Sequence, residues 1–130
     1  MSRDMAAIAI IAAFLLGVIS LFQIALAAGV PWGAASWGGR NPGKLPKGYR
    51  IGSAVAGLLF YPGVALLVLR TAGVLGEGTS SGGVAVLWVL AALFGLSTVI
   101  NLISPSRVER IWAPAALILT ACFVILAIRL

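Results

Sequence analysis

The chain has no histidine, one cysteine and three acidic residues in 130 positions. Each scarcity excludes something. Without imidazole, the commonest general base and metal ligand is missing, so Ser-His-Asp chemistry, haem and zinc have little to work with. Cys122 alone can form neither an internal disulfide nor a multi-cysteine metal site. No metal and no cofactor is expected. Charge is scarce too: 9% of residues are Asp, Glu, Lys or Arg, against about 25% in soluble domains. A solvated surface cannot be made from so few charged side chains. A soluble globular enzyme, a disordered chain and a coiled coil are excluded together.

What is present is apolar: 62% of residues are hydrophobic and 16 more are glycine. A helix needs about 20 mostly apolar residues to cross a hydrocarbon core of about 30 Å. Four runs meet that length, at about 5–30, 51–71, 84–103 and 111–128. Open strands would leave unpaired backbone groups in lipid, so all four are expected to be helical. Arg3 followed by an apolar run and Ala25-Leu26-Ala27 has some likeness to a cleavable leader, but the run is too long for one and is kept as a helix. The expected fold is an all-α membrane protein, an antiparallel four-transmembrane-helix bundle forming one domain over 1–130.

Between the first two runs, residues 31–50 hold three prolines and five glycines, which forbid a long helix. Trp32 and Trp37 there suit a membrane–water interface. The stretch 72–83 is Gly/Ser-rich and reads as a flexible turn; 104–110 is tight and makes the third and fourth runs antiparallel neighbours. Cations give the orientation. Arg40, Lys44, Lys47, Arg50, Arg107 and Arg110 fall in the first and third connections, and Arg3, Arg70 and Arg129 on the other side. The excess of positive charge places the first side in the cytoplasm and both termini outside. The formal net charge of +6 is thereby assigned to lipid phosphates and topology, and nucleic acid is not expected as a partner.

Polar groups inside the runs are few. Gln23, Tyr61, Ser97, Thr98 and Asn101 are the intramembrane candidates; each reads either as interhelical glue or as the lining of a polar site. Pro62 beside Tyr61 predicts a kink, because proline lacks an N–H and crowds the Leu58 carbonyl. Small residues recur four apart at Ala9, Ala13 and Gly17, at Ser53 and Gly57, and at Ala91 and Gly95. These rows are either internal packing seams or a dimerisation face. Ser106 and Glu109 have the spacing of a capping box, with Trp112 as an interfacial anchor after it. The rival reading groups Arg107, Glu109, Arg110 and Trp112 with Trp32, Trp37, Arg40, Lys44, Lys47 and Arg50 as a site for lipid or ligand, in which the cations take an anionic headgroup.

Family patterns were weighed on the residues. Small multidrug exporters need a glutamate within the first helix, small fluoride channels a Thr/Ser/Phe-rich third helix, and vitamin K epoxide reductase relatives a Cys-x-x-Cys pair. Asp4 and Glu77 lie outside the runs, Leu93 to Thr98 differs from the fluoride signature, and Cys122 stands alone. The stretches Gly29-Val-Pro-Trp-Gly33, Trp37-Gly-Gly39, Asn101-Leu-Ile-Ser104 and Glu109-Arg-Ile-Trp112-Ala-Pro114 resemble a group of short bacterial four-helix membrane proteins. That group has no established activity, so the resemblance implies a multi-pass topology in the bacterial plasma membrane and nothing catalytic. No acid–base pair is assembled, so a conventional enzyme is not expected. The expected function is a binding or accessory protein that presents its Trp- and Arg/Lys-rich loop face to lipid, a hydrophobic small ligand or a larger membrane complex. The alternative is a small homodimeric channel or transporter.

Overall fold

A computed structural model describes residues 3–76 and 81–130. Among them the regular structure is all helical, with no strand. Helix α1 is Arg3–Ala28, α2 is Lys47–Val55, α3 is Tyr61–Thr71, α4 is Ser81–Leu102 and α5 is Trp112–Arg129. A turn of π-helix, Ala56–Phe60, joins α2 to α3, so that Lys47–Thr71 runs as one span. Four helices are thus long and apolar enough to cross a membrane: Arg3–Ala28, Lys47–Thr71, Ser81–Leu102 and Glu109–Arg129.

Two expectations need correction. The second span starts a full turn before residue 51: Arg50 N–H donates to the Pro46 carbonyl at 3.0 Å. Hydropathy stops at Arg50, whereas the backbone continues to form helical bonds through a polar turn. The disturbance at Pro62 is absorbed before the proline. Tyr61 N–H donates to the Ala56 carbonyl, five residues back, which widens the helix by one residue where the ladder would otherwise break. The turn expected over 72–83 lies partly outside the described residues.

α1 packs against α2, α3 and α5, and α4 packs along α5. Leu16, Val68, Leu87, Leu119, Phe123 and Leu126 are fully buried between them. Phe94 meets Phe123 edge-on at 5.2 Å, and Tyr61 meets Phe94 at 6.4 Å. The outside is as apolar as the inside. Phe14, Leu21, Leu59 and Ile103 are each more than two-thirds exposed. Exposed apolar surface of that extent marks contact with lipid or protein.

The small-residue rows are used unequally. Ser53 and Gly57 face inward, and Ala9 and Ala91 are buried. Gly57 stands so close to α1 that a Cβ there would lie 2.8 Å from the Ser20 carbonyl oxygen. Gly17 is exposed, and a Cβ on it would meet nothing within 4 Å. Gly57→Ala is therefore expected to destabilise the protein by about 1–3 kcal/mol through overpacking. Gly17→Ala should be neutral or slightly stabilising, since alanine is the better helix former by roughly 1 kcal/mol. Thermal denaturation in mild detergent checks the pair; equal midpoints would show that the close approach of α1 to the π turn does not matter.

Candidate ligand site under the first connection

Residues 31–46 do not trail away from the helices. Two short 3-10 turns, Gly33–Ala35 and Trp37–Gly39, fold back over the end of the bundle. The third connection holds them there. Ser106 Oγ–H donates to the Ala34 carbonyl at 2.5 Å, and the Trp112 indole N–H donates to the Ala35 carbonyl at 2.9 Å. Gly39 passes so close to Ser106 that a Cβ would collide with its side chain, and its φ of +70° suits glycine. Trp37, at φ +50°, is held in a left-handed conformation that costs a side-chain-bearing residue roughly 1–2 kcal/mol. Its indole N–H donates to Ser53 Oγ at 3.0 Å and its ring meets Tyr49 edge-on at 5.3 Å, which compensates.

Beneath this cover lies a cavity of about 400 Å³. α1 contributes Phe22 and Gln23; the first connection, Ser36 and Trp37; α3, Tyr61; α4, Phe94, Ser97 and Asn101; and the last span, Glu109 and Trp112. The walls are mainly apolar, with five aromatic side chains among them. Phe22 stacks with Trp32 at 6.3 Å and contacts Trp112 at 4.7 Å. Three buried oxygens on lining residues have no hydrogen-bond partner: Gln23 Oε1, Ser36 Oγ and Glu109 Oε2.

Glu109 is 5% exposed, and local geometry explains how it came inside. Half of the expected capping box forms: Glu109 N–H donates to Ser106 Oγ at 3.4 Å. The return bond does not, because Ser106 N–H donates to Ser104 Oγ at 3.2 Å. The carboxylate is released from capping and lines the cavity.

The structure divides the other candidates. Gln23, Tyr61, Ser97 and Asn101 line the cavity together. Asn101 Nδ2 donates within its own helix, to the Ser97 carbonyl at 2.9 Å and Ser97 Oγ at 3.2 Å. Thr98 is buried and donates to the Phe94 carbonyl at 2.8 Å, also within α4. Arg50 Nε donates to the Ala27 carbonyl at 3.0 Å, in the last turn of α1, and Arg110 Nε donates to the Ser104 carbonyl at 2.8 Å, within the third connection. Arg40, Lys44, Lys47 and Arg107 are exposed. Trp32 is half-exposed on Phe22, while Trp37 and Trp112 turn toward the cavity. Ser36, Phe22 and Phe94 were not singled out from the sequence; no local spacing marks them, because the cavity joins residues from every span.

No family model, curated protein or solved structure matches the chain. The likeness to short bacterial four-helix proteins rests on its motifs alone.

Trp112→Phe keeps an aromatic ring against Phe22 but leaves the Ala35 carbonyl without its donor, at a cost of about 1–3 kcal/mol. Local opening of the first connection should rise about 5- to 150-fold. Trypsin cleavage after Arg40, compared between the wild type and the variant, measures it; unchanged cleavage would show that this bond does not hold the cover in place.

Proposed function

We propose that this chain is a small multi-pass membrane protein that binds one apolar small molecule in the cavity beneath its first connection. The cavity itself carries this reading. Its volume falls in the range of about 300–1,000 Å³ typical of small-molecule sites, and its make-up follows their pattern of apolar walls with a few convergent polar groups. Among the described residues no acid is paired with a base there: Glu109 is the one acid of these on the cavity wall, and the sequence has no histidine. Binding, presentation or storage therefore fits better than turnover. Native mass spectrometry of gently extracted protein should show one retained small molecule or lipid per chain. Ala56→Phe, which fills the cavity from the π turn, should abolish retention without lowering the melting point by more than a few degrees. Retention that is equal in the filled variant places the bound molecule elsewhere.

The same reading includes an antiparallel bundle with the first and third connections at its cytoplasmic end. The bonds from Ser106 to Ala34 and from Trp112 to Ala35 support their sharing one end, and the six cations they carry support its being the inside. With Cys122 replaced by Ala, Lys44→Cys and Lys47→Cys should resist an impermeant thiol reagent in intact cells and react after the membrane is opened. Labelling from outside reverses the orientation.

A further inference from the structure

We propose that the molecule held in the cavity carries a protonated primary amine on an apolar body, with Glu109 as its counter-charge. This rests on the cavity being a ligand site, as argued above, and adds the ligand's class.

The three unpartnered oxygens on its wall are Gln23 Oε1, Ser36 Oγ and Glu109 Oε2. A carbonyl oxygen and a carboxylate oxygen can only accept, and a serine hydroxyl can accept as well as donate. A wall of buried acceptors calls for a ligand that donates. A primary ammonium brings three N–H donors and no acceptor, which is the complement of that set. Charge points the same way. Glu109 is 5% exposed and its Oε2 has no partner among the described residues; a carboxylate so buried is charged at least cost beside a cation. An anionic or purely accepting ligand would deepen that cost, and a neutral hydrocarbon would leave it. Phe22, Trp37 and Trp112 on the same wall supply ring faces that attract a cation and cover an alkyl body.

The exterior narrows the choice further. Arg40, Lys44, Lys47 and Arg107 are exposed and the chain's formal charge is +6. A hydrophilic polyamine approaching through water is repelled by that field. An amphiphile dissolved in the bilayer is not obliged to cross it. Two sources share this chemistry: a free alkylamine, and the ethanolamine headgroup of a phospholipid.

Protein in nanodiscs of phosphatidylcholine and phosphatidylglycerol, which offer no primary amine, is titrated with dodecylamine and with 1-dodecanol at neutral pH, following tryptophan fluorescence. The wild type should bind the amine about tenfold or more tightly than the alcohol, as expected for a charge-assisted hydrogen bond. Glu109→Gln should bring the two within about twofold. If that variant does not fold, Gln23→Leu takes its place and should shrink the preference severalfold; a preference it leaves untouched overturns the proposal. Equal affinities in the wild type, or a preference that survives Glu109→Gln, also overturn the proposal while leaving the cavity a ligand site. Binding of neither probe overturns both readings. Nanodiscs containing phosphatidylethanolamine separate the sources: loss of dodecylamine binding assigns the site to the headgroup, and undiminished binding assigns it to a free amine.

Discussion

Residues 31–46 form a non-helical segment laid against apolar helices, and its backbone carbonyls must find donors there. A buried carbonyl left alone costs about 1–3 kcal/mol. Ser106 and Trp112 supply the donors for Ala34 and Ala35. Much else follows from these two bonds. They draw the first connection onto the third, which brings Ser36 and Trp37 over the end of the bundle as part of the wall of a half-open cavity. They also place Ser106 in the cover, while its own N–H is taken by Ser104 Oγ. The reciprocal bond of a capping box then has no place, and the Glu109 carboxylate is left for the interior.

The four helices were legible because length and hydropathy are properties of a run, and a run survives tertiary contact. Their edges were less so. The second span gained the turn from Lys47 because a helix can carry charge where a hydropathy window registers only polarity. Pro62 announced a disturbance but not its form. The π turn at Ala56–Phe60 carries Gly57 against Ser20, a contact between spans that no local pattern encodes. Rows of small residues posed the same difficulty. Spacing gives a face and does not say what the face meets, so Gly57 and Gly17 read alike in the sequence and differ in the structure.

The site was half legible. Gln23, Tyr61, Ser97, Asn101, Glu109 and Trp112 stood out as polar or amphipathic groups in apolar surroundings, and the structure gathers them around one cavity. The cations were read as one group because they are close in sequence and on one side. Two of the six answer to backbone instead: Arg50 to Ala27 and Arg110 to Ser104. Helix ends carry unsatisfied carbonyls and a partial negative charge, so an arginine within reach is drawn to them. The reach from Arg50 crosses from one span to the next, which spacing along the chain cannot show.

A net charge of +6 invites the thought of an anionic ligand, yet charge counts weigh exposed and buried groups equally and physics does not. Arg40, Lys44, Lys47 and Arg107 stand exposed, where salt screens them within about 8–10 Å. Glu109 sits behind aromatic rings, where the effective dielectric is lower and each charge interacts more strongly. Arg107 lies two residues from Glu109 in the chain, yet its side chain stands exposed while that of Glu109 is buried. The molecule therefore presents two surfaces of opposite character at one end. The outer one is cationic; the inner one holds unpartnered oxygen acceptors. A headgroup carrying both a phosphate and an amine would satisfy the two at once, and neither surface alone would select it.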